Sequence, residues 1–311
     1  MPTDIEWADE TWNPIIGCSH ISAGCRNCYA ERMAHRHARM GRTAYQEVVT
    51  AAGRWTGTTR FVESALDAPR HWTRKPRRVF LGSMTDIFHP SVRPEWIDRV
   101  LEVIAACPMH TFLALTKRAS SIDPKLYDTT DQAPVRVLGG GDTLPNLHLG
   151  VSIENQTAAN LRLPHLLELA AAGWTTYVST EPLLAPISFR WAPWAPRKGR
   201  CMGNHLDGLR PLAGVIVGGE SGPGARPMHP DWPRSIRDQC AAAGVPFFFK
   251  QWGAWEPFGP SGGGASQQHC WNPGASVYDL IVMGRVGKKA AGRRLDGRTH
   301  DDLPQPRKDH D

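Results

Sequence analysis

Six short apolar runs from residue 78 onward restrict the fold more than any other feature: RVFLGS (78–83), TFLALT (111–116), LHLGVS (147–152), TTYVST (175–180), GVIVGG (214–219) and PFFFKQ (246–251). Each is of strand length and rich in β-branched or aromatic residues. None alternates as a half-solvated strand would, so each reads as a strand buried on both faces. Helical patterns lie between several of them. RPEWIDRVLEVIAACP places Ile97, Val100, Leu101 and Ile104 on one face, with Pro94 near its start and Pro108 beyond its end. NLRLPHLLELAAAG ends at Gly173, and HPDWPRSIRDQCAAAG has Asp231 as its expected N-cap and Gly244 at its end. The spacing between runs is that of a strand, a helix and two loops, the crossover that parallel neighbours require. The expected class is α/β, either a doubly wound sheet or a full or partial (βα) barrel.

The residues that follow each run favour the barrel. They are Ser83, Thr85 and Asp86; Thr116, Lys117 and Arg118; Ser152, Glu154 and Asn155; Ser179, Thr180 and Glu181; Gly219, Glu220 and Ser221; and Lys250 with Gln251. In a (βα) barrel the loops after the strands converge on one mouth, so groups of both charge signs are expected to face a common cavity. Residues 190–212 break the rhythm with Pro, Gly and Trp and read as a long loop or lid. FGPSGGGASQQ (258–268) reads as a flexible linker, and the segment after it as a short strand pair with a basic turn. The expected organisation is a barrel over 1–254, with a cysteine loop at 17–31, and a C-terminal extension over 255–311.

Composition removes several classes. No apolar run approaches the roughly 20 residues that span a bilayer, so no membrane is expected. MPTDIEWADETWNP has acids and tryptophans where a secretory signal has basic residues and an apolar stretch, which points to the cytoplasm. Seven cysteines, three of them clustered, argue for thiol chemistry in a reducing compartment rather than a disulfide framework. A net charge of +6 and a pI near 9.0 favour a polyanionic partner. GRVGKK lacks the Ser or Thr of a phosphate loop, and Pro223 and Pro227 in VGGESGPGARP discourage the helix a dinucleotide loop would open. Among thirteen histidines, His89 after TDIF is the one singled out as a site residue.

GCSHISAGCRNCYAE (17–31) holds Cys18, Cys25 and Cys28. The short Cys25–Cys28 loop can aim two sulfurs inward, with Cys18 supplying a third. Three thiolates on a four-iron cluster leave one iron without a protein ligand. The competing reading is structural zinc, with His20 completing a set of three cysteines and a histidine. Cys107 and Cys240 end helical patterns and read as core residues, whereas Cys201 and Cys270 fall in loops.

A cysteine triplet at the end of a first barrel strand, its last member followed by an aromatic residue and a helix, resembles the radical S-adenosylmethionine superfamily. TWNPIIGCSHISAGCRNCYAERM is similar, more narrowly, to a phage-associated three-cysteine family. That similarity continues through GSMTDIFH, LTKR, LGVSIEN, STEPLL, VGGESGPGARPM, KQWG and GKKAAGRRLDGR. The chain departs from the wider superfamily in the six residues between Cys18 and Cys25, where three are usual, and in Asn27, where an aromatic is common. The resemblance implies a barrel of the radical S-adenosylmethionine type, with a [4Fe-4S] cluster on Cys18, Cys25 and Cys28. It also implies S-adenosyl-L-methionine on the open iron and an external electron donor. Asp86, with Ser83 beside it, would hold the methionine ammonium. Ser152, Glu154, Asn155 and Glu181 would meet the ribose hydroxyls or the methionine carboxylate. Gly218 and Gly219 would approach the adenine or sulfonium, with Glu220 a further cofactor-binding candidate; Lys117 and Lys250 would donate or accept a proton, or else pair with Glu154, Glu181 or Glu220 as salt bridges inside the barrel. The resemblance points to phage genomes, hence a host cytoplasm, and to a modified DNA base as substrate, with Trp191 and Trp194 suited to an extruded base. Two rival functions stand beside it: a zinc-stabilised nucleic-acid-binding protein, and a catalytically inactive barrel acting as a partner protein.

Overall fold

A computed structural model describes residues 3, 5–122, 143–189, 208–258, 265, 267–271 and 280–305. Trp191, Trp194 and Cys201, with most of the expected lid and linker, lie outside the described residues. The chain opens with β1 (Glu10–Trp12) and β2 (Ile15–Ile16), then helices α1 (Tyr29–Arg39) and α2 (Thr43–Gln46), β3 (Arg60–Phe61) and α3 (Glu63–Leu66). The repeating part follows: β4 (Arg78–Leu81), α4 (Pro94–Ala105), β5 (Thr111–Thr116), β6 (Leu147–Ser152), α5 (Gln156–Ala171), β7 (Thr175–Thr180), β8 (Gly214–Gly218), α6 (Asp231–Ala243) and β9 (Phe247–Gln251). It ends in β10 (Trp255–Phe258), β11 (Gln268–Trp271), β12 (Ile281–Arg285) and α7 (Lys288–Ala291).

All six apolar runs are strands of one seven-stranded sheet, ordered β1-β4-β5-β6-β7-β8-β9. Pairs β1–β4, β4–β5, β5–β6 and β8–β9 are parallel. Chain order equals sheet order, with β1 and β9 at its two ends, as in a partial (βα) barrel. The doubly wound alternative needs a reversal of strand order, which this sheet does not have. β1 is the strand that periodicity misses: it has three residues, and its middle is framed by a buried Glu10 paired with Arg77.

The chain divides into two compact units. The first takes in Met1–Val151 and Arg162–Tyr177. Its core holds Trp7 against Phe80 and Trp12 against Phe112, with ring centroids 4.7 and 5.5 Å apart. The Trp12 indole N–H donates to Ala65 O at 2.8 Å, so this buried ring leaves no polar atom unmet. α4 buries Val100, Leu101, Val103 and Ile104, so Val103 joins the apolar stripe visible in the sequence while its first member, Ile97, is half-buried.

The second unit takes in Ser152–Leu161 and Val178–Gln305. α6 ends as expected on Gly244 in the left-handed conformation (φ 68°). Its start differs. Pro230 is the N-cap and Asp231 the first helical residue, its carboxylate 3.0 Å from Arg234 one turn on. The expected strand pair is a three-stranded antiparallel sheet, β10-β12-β11. β12 pairs with strands that precede it in the chain, and GKK opens the short helix α7 rather than a hairpin turn. Cys270 accordingly sits in β11 and not in a loop. No described helix is long and apolar enough to cross a membrane.

Candidate metal centre

Gly17 fixes where the cysteine segment begins. Its φ is 96°, and a Cβ there would lie 2.2 Å from Thr58 O, so a side chain is excluded twice over. Gly17 bridges in parallel to Thr85 after β4; its N–H donates to Met84 O at 3.1 Å, and the Thr85 hydroxyl donates to Gly17 O at 2.7 Å. Cys18 is therefore delivered beside the end of β4. Cys25 closes a short 3-10 turn, the Cys28 N–H donates to Cys25 O at 3.2 Å, and Cys28 is the N-cap of α1. The helix is docked by Ala30 and Ala34, which pack with Ile16, Val48 and Met84, and by the Tyr29 hydroxyl, which donates to Ser83 O at 2.8 Å. All three thiols are free and half-buried.

Behind Cys18 stands a buried ion pair. Asp86 and Arg118 are each 7% exposed at the side chain, with Arg118 Nη1 3.1 Å from Asp86 Oδ2. Arg118 Nη2 donates to Ser19 O at 3.0 Å and to Ser19 Oγ at 2.8 Å, while Nη1 also lies 3.9 Å from Cys18 Sγ. Asp86 accepts three further bonds: from the Thr116 hydroxyl at 2.7 Å, the Lys117 N–H at 3.1 Å and the Phe88 N–H at 3.1 Å. A carboxylate has about four acceptor sites, and all are taken. Burial pushes the Cys18 thiol up to about 11; Asp86 adds to that shift and Arg118 opposes it. His89 completes the network. Its Nδ1 accepts the Ser91 N–H at 3.2 Å, which leaves the ring proton on Nε2, facing Ser19 Oγ at 2.8 Å. Burial, and then Arg118, hold this imidazole below its ordinary pKa.

His20 is occupied elsewhere. Arg54 Nη2 donates to its Nδ1 at 3.3 Å, and its Nε2 lies 3.1 Å from Glu31 Oε1. Both ring nitrogens are engaged, so His20 clamps the long loop between Cys18 and Cys25. Among the described residues no group of three or more His, Cys, Asp or Glu side chains is gathered to hold a single metal ion. Three cysteines are a donor set that a multi-iron cluster takes, each binding a separate iron, whereas a tetrahedral ion takes four donors that meet at one point.

The other expected residues divide between the units. In the first, the Ser83 hydroxyl exchanges hydrogen bonds with the Asn13 amide at 3.0 and 3.2 Å, and Lys117 is half-buried next to Arg118. Asp86, expected to hold an ammonium group, instead anchors Arg118. In the second unit, Ser152 and Glu154 are buried. Asn155 Oδ1 accepts the Ala158 N–H at 2.8 Å and so caps α5. Lys250 Nζ lies 2.8 Å from both oxygens of Glu181, so these two neutralise each other. Glu220 is forked onto Arg226, with bonds of 2.6 and 2.9 Å to the guanidinium. The approach expected at Gly219 is made by the chain itself: a Cβ there would be 2.0 Å from Trp252 O, and one at Gly218 would be 3.3 Å from the Glu181 carboxyl carbon. Sequence reasoning gave no role to Ser19 or Asn13, which lie within the cysteine motif but act on neighbours distant in the chain.

None of the curated proteins compared matches the chain. Solved structures of a spore photoproduct lyase align with 89% of this chain and 68% of theirs. The lyase complexed with dinucleoside spore photoproduct gives 11% identity and a TM-score of 0.38. A tyrosine-to-phenylalanine mutant gives 12% and 0.42, and a cysteine-to-serine mutant 13% and 0.40. At such scores none of them assigns an activity to this chain. A family profile does match, over residues 2–304. The chain belongs to that family, described as "Protein of unknown function (DUF5131)".

Proposed function

We propose that the chain is a radical S-adenosylmethionine enzyme whose Cys18, Cys25 and Cys28 hold a [4Fe-4S] cluster. One observation carries this: three free, half-buried thiols lie on one loop and at the N-cap of the helix that follows it, while the only histidine in that loop is committed to Glu31 and Arg54. When bound, such a cluster supplies an open iron position and, from an external low-potential donor, the electron that cleaves S-adenosyl-L-methionine to a 5′-deoxyadenosyl radical able to take a hydrogen atom from substrate.

The chain's own residues supply rigidity and burial around that chemistry. Gly17 and Thr85 fix the backbone before Cys18, and Arg118 fixes the backbone after it through Ser19. Tyr29 ties the start of α1 to the end of β4, which sets Cys28 relative to Cys18. Neutral His89 supports Ser19 without adding charge. A nucleobase in DNA is the proposed substrate class, supported by the net charge of +6 and by basic runs such as RHWTRKPRR (70–78). The free thiols among the described residues suit a reducing cytoplasm.

The test is anaerobic reduction of iron-loaded protein with S-adenosyl-L-methionine, followed by chromatography. Formation of 5′-deoxyadenosine supports the proposal. Iron-loaded, reduced protein that forms none would reduce the chain to a barrel without this activity.

A further inference from the structure

We infer that the buried Asp86–Arg118 pair sets the reduction potential of the centre held by Cys18, Cys25 and Cys28, Arg118 raising it and Asp86 lowering it. This rests on the iron–sulfur reading of those thiols. The pair is a positioning and tuning element, not a set of ligands.

Three features of the geometry carry the inference. The first is fixity. Arg118 is held by Asp86 through Nη1 and by two Ser19 oxygens through Nη2, so its guanidinium cannot swing away from Cys18 without breaking three bonds of 2.8–3.1 Å. The second is proximity. The nitrogen that binds Asp86 is also the one 3.9 Å from Cys18 Sγ, so a cation and its counter-anion both lie close to one sulfur. The third is burial. With both side chains 7% exposed, water and salt screen little of their field.

Reduction adds one electron to the centre and no proton; the electron comes from an external low-potential donor. A fixed positive charge and an N–H aimed at a ligand sulfur stabilise the more negative reduced state, and a carboxylate opposes it. The pair thus explains why Asp86 spends all its acceptor sites internally. Its four bonds lock the orientation of the cation it accompanies.

The experiment loads wild type, Arg118→Gln, Arg118→Lys and Asp86→Asn anaerobically and titrates each with dithionite under electron paramagnetic resonance, at fixed pH. Iron is counted in the same samples. The expected midpoint is more negative than wild type in Arg118→Gln, close to wild type in Arg118→Lys and more positive in Asp86→Asn. A merely structural role would lower iron content in all three and leave the midpoint of the loaded fraction unmoved. An unmoved midpoint in loaded Arg118→Gln overturns the inference, as do shifts of the same sign in Arg118→Gln and Asp86→Asn. If Arg118→Gln does not load, a midpoint in Asp86→Asn that is unmoved or more negative than wild type overturns it equally. Wild type that takes up no iron defeats the iron–sulfur reading itself, a distinct outcome from a loaded protein with an insensitive potential.

Discussion

Glu31, 4% exposed at the first buried turn of α1, binds three groups that arrive from two other segments. Its Oε1 takes the Trp55 N–H at 2.8 Å and faces His20 at 3.1 Å, and its Oε2 lies 3.2 Å from Arg54. The long loop between Cys18 and Cys25 is thereby closed onto the helix that carries Cys28. Glu31→Ala removes this acceptor and leaves the Trp55 N–H and the His20 ring without their partner. The expected cost is about 1.5–3 kcal/mol, read as a lower urea midpoint at unchanged slope. Glu31→Gln, which keeps one acceptor oxygen, is expected to lose less. The cysteine triplet was legible in the sequence because its spacing is local. The fate of His20 was not, because its partners lie 11 and 34 positions away and meet it only once α1 and the segment before β3 have folded.

At the scale of elements, burial made the strands readable. A strand covered on both faces must be apolar throughout, so the six runs announced themselves, whereas β1, three residues with a buried Glu10, did not. Packing between strands was not readable. Gly150 in β6 faces the ring of Tyr177, a fully buried side chain whose hydroxyl donates to Ala114 O at 3.1 Å; a Cβ at 150 would sit 2.4 Å from that ring. Gly150→Ala is therefore expected to destabilise by about 1–3 kcal/mol or more through overpacking, measured by thermal unfolding. Helix α4 carries the opposite kind of fault. Asp98 lies between Glu95 and Glu102 one turn either side, and its Oδ1 is buried with no hydrogen-bond partner among the described residues. Burial first, then the two glutamates, push its carboxyl up to about 6. The folded state thus holds this proton more tightly than the unfolded chain, whose value is near 3.8. The group costs stability above pH 6, and that cost is relieved as pH falls towards 4. Asp98→Asn is expected to raise Tm by about 2–4 °C at pH 7–8, and by nothing below about pH 4. A scan of Tm against pH for both proteins checks it.

Across the whole molecule, the repeat of strand and helix set the sheet order, and the polar groups after each strand gave most of the candidate residues. That pattern left open whether those groups pair with one another or face a ligand. Asp86 locks Arg118, Glu181 neutralises Lys250 and Glu220 grips Arg226, pairings fixed by side-chain geometry and not by position in the sequence. The proposed activity needs an iron–sulfur cluster on the three thiols of the first unit. Its most direct test is the iron and acid-labile sulfide content of anaerobically reconstituted wild type beside Cys28→Ala and Cys240→Ala, the last being a buried core cysteine in α6. The expected result is about four irons and four sulfides per chain in wild type and Cys240→Ala, and loss of both in Cys28→Ala. Stoichiometric zinc without iron in wild type, or equal iron in all three proteins, would contradict the account.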